Sequence, residues 1–327
     1  MATNPRVLCL GEILFDLISD QPGVAYEDVT SWTAYPGGAP ANVACALVKL
    51  GTPAGFLGCV GADQPGEELV QLLDSIGVAT ERIQHHQTRP TRKIYVVRTA
   101  AGDRQFVGFG DRDTADFADA ALQASQLSSE MFDGVDYLVL GTLELPYKET
   151  AQAIEQALTL AEEQNIKIVL DVNWRPMFWP QPDQAKSTVL DLVKRANVLK
   201  LSDEEADWLF DTTNPEAIAA QLPSSDVILV TAGAEGCAYS ILGQQGNRAA
   251  FHVAVEETTG AGDSFLAGFL HRLCQTGLAA MDHARAAQDA VTYACAVGAL
   301  TTMQPGAIAA QPTAAQVDLF LQSQKLS

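Results

Sequence analysis

Short, wholly apolar runs alternate with helix-patterned segments along most of this chain, and that alternation limits its fold more than any other feature. Residues 7–10, 55–60, 137–140, 166–170, 197–201 and 227–230 are short, rich in Val, Ile and Leu, and lack the alternating pattern of a half-exposed strand. Such runs read as strands covered on both faces, the pattern of a parallel sheet. Between them lie helix patterns over residues 39–50, 64–76, 148–163, 183–195, 203–210 and 215–221. Pro40 falls in the first turn of the earliest helix, and Gly51 and Gly77 follow the ends of the first two, as helix starts and stops favour. The alternation implies an α/β fold, a doubly wound and mostly parallel sheet flanked by helices. No repeat, low-complexity block or linker divides the 327 residues, so a single domain is expected.

Two stretches depart from the pattern. Residues 92–98 and 105–109 read as a hairpin joined through Thr99-Ala100-Ala101-Gly102-Asp103-Arg104, and residues 14–36 are similarly β-like and turn-rich. These inserted segments, about 14–36 and 90–110, predict a small antiparallel β sheet at the edge of the large one. A lid over a cleft and an ordinary edge hairpin fit that pattern equally well.

Polar residues gather at the carboxyl ends of the expected strands. Asp16 comes after the first, Glu144 after residues 137–140, and Asp171, Asn173 and Arg175 after residues 166–170. Ser202, Asp203, Glu204 and Glu205 follow residues 197–201, and Thr231 with Gly233 follows residues 227–230. Ligands of open α/β sheets bind outside those ends. Any one of these residues reads as a cap or a loop residue, but so many loaded ends on one edge exceed what capping needs.

The sharpest chemistry lies in Thr259-Gly260-Ala261-Gly262-Asp263. This turn empties into a helix whose apolar stripe runs through Phe265, Phe269 and Leu273 and stops at Gly277. The unpaired N–H groups at such a helix start, with the positive end of its dipole, favour an anion. Asp263 sets a proton acceptor beside that cradle, the minimum for phosphoryl transfer to a hydroxyl. A lone G-x-G-D is better read as an N-cap aspartate after a flexible turn. Near the other end, Gly37-Gly38-Ala39-Pro40-Ala41-Asn42 leads into the first helix, where a neutral amide suits hydroxyl groups. That segment alone is also only a turn before a helix.

Charge narrows the partners. Forty acidic residues against twenty basic ones leave a formal charge of −20. This repels DNA, RNA and anionic membranes and excludes a general nucleic-acid binder. It does not exclude a nucleotide, since local N–H groups and Mg2+ hold phosphates against a negative background. The six cysteines (Cys9, Cys45, Cys59, Cys237, Cys274 and Cys295) are scattered through apolar segments without a C-x-x-C. They read as buried hydrophobes of a reducing compartment. His85 and His86 read as a solvated pair. Glu12 and Asp16 fall where a signal peptide needs an apolar core, and no apolar run approaches a membrane span. A soluble, cytoplasmic protein is expected.

Taken together, the two glycine motifs resemble the signature regions of the ribokinase-like (PfkB) carbohydrate kinase family. The resemblance runs from Cys9 to Ala307. It is strongest to fructokinases, through Gly11-Glu12-Ile13-Leu14-Phe15-Asp16, Asp171-Val172-Asn173-Trp174-Arg175-Pro176 with Trp179-Pro180, and Lys200-Leu201-Ser202-Asp203-Glu204-Glu205. It implies an enzyme that uses ATP with Mg2+ to phosphorylate the primary hydroxyl of fructose. Asp263 is implied as the catalytic base and Gly260, Ala261 and Gly262 as the anion hole. Asp16, Gly37, Gly38 and Asn42 match sugar-binding positions. Glu144 lies near a sugar contact of some members, and Arg175 near the acceptor or its phosphate.

The same resemblance puts Ser202, Thr231, Gly233, Gly236 and Gly306 at the nucleotide, with Glu205 organising Mg2+ and phosphate through water. Ser202 replaces the asparagine of the family's N-x-x-E segment. Glu257 stands where many members have an aspartate that helps bind a monovalent cation, so K+ and a solvated loop charge both remain open there. The oligomeric state is open: many relatives pair through their lids, and the 92–109 hairpin offers an edge at which a homodimer could form. Another small polyol such as 2-keto-3-deoxygluconate or ribose is the alternative acceptor. A non-catalytic sugar sensor is a further reading, and its mark would be loss of the base or of the glycine turn, both present here. A dinucleotide-dependent dehydrogenase needs G-x-G-x-x-G after the first strand, and Gly11-Glu12-Ile13 offers none.

Overall fold

The computed structural model describes residues 4–99 and 104–324. Four of the residues expected to turn the 92–109 hairpin, Ala100 to Asp103, lie outside the described residues. The strands are β1 Val7–Leu10, β2 Leu14–Ser19, β3 Trp32–Gly37, β4 Ala54–Gly61, β5 Ala79–His86, β6 Lys93–Arg98 and β7 Arg104–Gly108. They continue with β8 Tyr137–Leu140, β9 Lys167–Asp171, β10 Val198–Ser202, β11 Val227–Thr231, β12 Cys237–Ile241 and β13 Gln244–Arg248. The helices are α1 Ala39–Lys49, α2 Gln64–Ile76, α3 Lys148–Glu163, α4 Ala185–Val193, α5 Asp203–Phe210, α6 Pro215–Gln221, α7 Ala261–Thr276, α8 Ala284–Thr301 and α9 Ala314–Gln324.

Nine strands form one sheet in the order β13-β12-β11-β10-β9-β8-β1-β4-β5. Pairing is parallel from β5 to β11, and the β12–β13 hairpin closes the far edge in antiparallel fashion. Strand order reverses direction at β1, so a crevice opens beside its carboxyl end. Successive residues of β1 enter opposite cores. Leu8 and Leu10 pack with α3 and α4 residues such as Ile154 and Val189, whereas Val7 and Cys9 pack with α1 and α7 residues such as Leu47 and Phe269. A strand covered by helices on both faces has no polar side. All six cysteines are free and buried.

The second sheet has the order β3-β2-β6-β7. Each hairpin is antiparallel, but β2 and β6 meet in parallel. They continue from β1 and β5, which point the same way in the large sheet, so both cross into the small sheet in one direction.

The six expected parallel strands all form, with ends shifted by a residue at most. The expected helix at 183–195 is shorter, because a 3₁₀ turn at Pro182–Gln184 precedes α4. β5, the β12–β13 hairpin, α8 and α9 were not expected. His86 is not simply solvated: its Nδ1 accepts the Arg89 amide at 2.9 Å, while His85 is exposed. Among the described residues no helix is long and apolar enough to cross a membrane.

Candidate active site

The turn before α7 forms because Gly260 caps the helix in the left-handed region, at φ 76°. A Cβ there would come within 2.8 Å of the Ala307 Cβ, so only glycine fits both the conformation and the space. The Ala261 amide closes onto the Thr258 carbonyl at 3.2 Å, and Ser264 N donates to Gly260 O at 2.9 Å. Gly262 and Asp263 thereby supply first-turn N–H groups without an intrahelical acceptor.

Asp263 sits in that first turn, and its Oδ2 accepts the Asn42 side-chain amide at 2.8 Å. Gln311 Nε2 in turn donates to the Asn42 carbonyl at 2.8 Å. Burial, then the nearby charge of Asp171, pushes the Asp263 carboxyl up to about 6, against the opposing pull of Asn42, Lys200 and Arg175. A carboxylate titrating near neutrality is poised to accept a proton. The Asn42 amide thus reaches the Asp263 carboxylate itself. Asn42 Oδ1 is buried without a partner, leaving an acceptor open for a hydroxyl.

Asp16 on β2 is raised to about 6, chiefly by burial, with Arg104 opposing and Glu257 adding to the shift. Gly37 borders it, since a Cβ there would stand 2.9 Å from Asp16 Oδ2. Gly38 caps the start of α1. Arg104, from the first position of β7, ties the small sheet to the loop that leads into α7. Its Nη1 lies 2.6 Å from Glu257 Oε1 and 3.0 Å from Thr259 Oγ1. Glu257 Oε2 accepts the Gly306 amide at 3.1 Å.

On the other side of Asp263, Lys200 Nζ lies 3.0 Å from each oxygen of Asp171, and both side chains are buried. The Arg175 side chain donates to the Trp174 carbonyl at 3.0 Å. Glu205 is buried and raised, first by burial and then by Asp171. Its two oxygens accept the amides of Trp174 (2.7 Å) and Ser202 (2.8 Å), and the Ser202 hydroxyl accepts Glu205 N in return. That reciprocal box caps α5. Ser202 and Thr231 are register partners at the carboxyl ends of β10 and β11. Thr231 Oγ1 donates to Leu201 O at 3.1 Å, and the Gly233–Glu235 turn is closed by Ala232 N donating to Gly236 O at 2.8 Å.

Glu144 lies deeper than a sugar contact on the surface of a cleft. It is 4% exposed, and burial followed by the charges of Asp119 and Glu12 raises its carboxyl well above the usual range. Glu12 is likewise raised, by burial, and accepts the Ala39 amide at 2.8 Å. Asp119 is paired with the buried Arg92.

The structure therefore brings Asp263, Asn42 and the start of α7 into direct contact or adjacency. Arg175 joins them through its charge, and Asp16, Glu257 and Gly306 form a second group around Arg104. Ser202, Glu205, Thr231, Gly233 and Gly236 cluster at neighbouring strand ends. Sequence reasoning did not assign roles to Arg104, Lys200, Glu12 or Gln311. For Lys200 there was a signal, a cation inside an otherwise apolar strand. Arg104 offered none, because its contacts come from where the small sheet carries it.

A family model described as pfkB family carbohydrate kinase matches residues 4–314. The probable fructokinase-3 of Arabidopsis thaliana is 31% identical over 322 residues, covering 98% of this chain and 92% of that protein. The crystal structure of a Xylella fastidiosa fructokinase with bound ATP has a TM-score of 0.87 at 27% identity, covering 98% of each chain. A double mutant of the Vibrio cholerae O395 fructokinase, in a fructose, ADP and potassium ion bound form, has a TM-score of 0.83 at 28% identity. That match covers 98% of this chain and 99% of the other.

Proposed function

This chain belongs to the pfkB family of carbohydrate kinases, phosphotransferases with an alcohol acceptor, and from that premise we propose that it converts fructose and ATP to fructose 6-phosphate and ADP. The observation that carries the reading is Asp263, a carboxylate raised to about 6 in the first turn of α7, with one oxygen held by Asn42.

A primary alcohol is a poor nucleophile. Asp263 takes its proton as the oxygen bonds to the γ-phosphorus and the bond to the leaving ADP oxygen breaks, a contribution of roughly 10²–10⁴ in rate. Charge on the moving phosphoryl group falls against the Gly260–Gly262 turn, where the Gly262 N–H faces the unpaired first turn while the Ala261 N–H is held by the Thr258 carbonyl and shapes the turn instead. Asp16, Asn42, Gly37 and Gly38 hold the sugar. Arg175 stands by the acceptor, and Glu144, a buried carboxyl raised chiefly by its burial, borders the sugar pocket. ATP lies along Ser202, Thr231, Gly233 and Gly236, with Gly306 bordering the anion loop. The small sheet acts as a lid that keeps water from competing as acceptor.

Mg2+ enters on this reading as part of the MgATP substrate, held chiefly by phosphate oxygens. No group of three or more His, Cys, Asp or Glu among the described residues is placed to hold a metal. Both oxygens of Glu205 accept backbone amides, so its contact with such an ion runs through water. Glu257 fits a K+ site poorly, because one oxygen is on Arg104 and the other on the Gly306 amide. The exposed edges of the lid sheet are where a second copy would pair, which sedimentation equilibrium tests.

A coupled assay of ADP release over a panel of sugars tests the acceptor. Fructose is expected to give the highest kcat/KM. A higher value for 2-keto-3-deoxygluconate or ribose would keep the chemistry and replace the substrate.

A further inference from the structure

Lys200 interrupts an apolar strand with a cation that is 7% exposed. Its Nζ is held at 3.0 Å by both oxygens of Asp171, on the neighbouring strand β9. It also lies hard against the anion loop, since a Cβ on Gly262 would come within 3.1 Å of Nζ. Glycine at 262 therefore serves two ends, close approach of a phosphate from the cleft and close approach of an ammonium from behind. Stability does not account for such a pair. Desolvating two charges costs several kcal/mol per ion, and apolar replacements of buried pairs are often neutral or stabilising.

We propose that Lys200 is a positioning residue for phosphoryl transfer, its ammonium acting through the Gly260–Gly262 backbone as a fixed positive charge behind the anion hole, with Asp171 as the anchor that holds it there. The proposal rests on the kinase reading above. The Lys200 side chain is buried. It faces the loop from the protein side and offsets the charge of Asp171, which would otherwise stand uncompensated near Asp263. The charged groups that act on Asp263 come from several elements: Asp171 on β9, Lys200 on β10, Arg175 beyond β9, and Glu12 beyond β1. Of these, Lys200 is the one packed against the loop that meets the phosphate.

The test uses Lys200→Met and the charge-neutral double variant Asp171→Asn/Lys200→Met. Two quantities are measured: steady-state kinetics with fructose and ATP, and the titration of the Asp263 carboxyl by carbon-13 NMR without substrates. In Lys200→Met, kcat is expected to fall about tenfold or more with both KM values little changed. The Asp263 titration is expected to move up by about a unit or more. In the double variant the titration returns toward its original position while kcat stays low, because the charge behind the loop is still missing.

A folded Lys200→Met with near-normal kcat and an unmoved Asp263 titration would overturn the proposal, leaving an ion pair with a structural role only. If the single variant fails to fold, the double variant decides, and a normal kcat there overturns it equally. If the unmodified protein phosphorylates no sugar, the kinase reading fails. The NMR titration still tests the Lys200–Asp263 coupling, which stands if the signal shifts and falls if it does not.

Discussion

The Asn42 side-chain amide donates to Asp263 Oδ2 at 2.8 Å, tying together two helix starts that lie 221 positions apart in sequence. One Asp263 oxygen is thus occupied, and on the proposed mechanism the other takes the proton. Asp263→Asn is expected to lower kcat by roughly 10²–10⁴ while leaving fructose affinity by calorimetry nearly unchanged. Asn42→Ala should lower kcat less, because the base survives with a looser orientation, and should raise the sugar KM as well. Near-normal turnover in Asp263→Asn removes that residue from the base role.

The raised carboxyls predict two pH effects of opposite sense. On the proposed mechanism activity needs Asp263 ionised, so log kcat/KM should fall with a slope near one below about pH 6. Stability runs the other way. A carboxyl whose folded value is about 6, above its ordinary value of 3.8, binds protons more tightly in the folded protein. Its contribution is therefore full below the ordinary value and is lost as pH rises through the folded one. Asp263→Asn and Asp16→Asn should each raise the melting temperature at pH 7, by on the order of 1 kcal/mol in stability, and raise it little at pH 3.5. A loss of stability at pH 7 would mean that ionised Asp263 is better solvated than its surroundings indicate.

What the sequence made legible follows from burial. Strands such as β1 and β11 announce themselves because both faces are covered, which leaves an uninterrupted apolar run. β5 and the β12–β13 hairpin lie at the two edges of the sheet, where polar side chains such as those of Gln244–Arg248 are tolerated and the run dissolves. α8 packs largely through alanines such as Ala287, Ala290 and Ala294, too small to make a visible stripe. In the candidate site, the glycine turns were legible because positive φ at Gly38 and Gly260 demands glycine, and Asp263 because it follows such a turn at a helix start. The contacts of Asn42 with Asp263, and of Arg104 with Glu257, join distant segments and have no local signature.

Gly260 offers a test of the turn itself. With φ at 76° and the Ala307 Cβ 2.8 Å from where its own would be, Gly260→Ala incurs both backbone strain and a clash. The cost should be about 1–3 kcal/mol, read as a lower midpoint in urea. Because the displaced segment is the start of α7, kcat should fall further than the stability loss alone implies. If kcat instead tracks only the folded fraction, the turn is a structural feature rather than the anion hole.

Arg104 provides the remaining test, and it separates two uses of Glu257. The guanidinium lies 2.6 Å from Glu257 Oε1 and 3.0 Å from Thr259 Oγ1, so it ties β7 of the small sheet, the proposed lid, to the loop that leads into α7. With Glu257 Oε2 on the Gly306 amide, that carboxylate already has a cation and a donor. The unmodified enzyme should then respond weakly to K+, with less than about a twofold change when K+ replaces a tetraalkylammonium salt at equal ionic strength. The pair is partly exposed and contributes only about 0–1 kcal/mol to stability, so Arg104→Ala should melt near the original temperature. Its effects should appear in function: a higher KM for fructose, and more ATP hydrolysis without sugar as the loosened lid admits water. K+ activation should also increase in that variant, since Glu257 Oε1 is freed for a cation. Strong K+ activation of the unmodified enzyme, unchanged by Arg104→Ala, would show that the cation binds without competing for Glu257 and that the lid clamp is not its substitute.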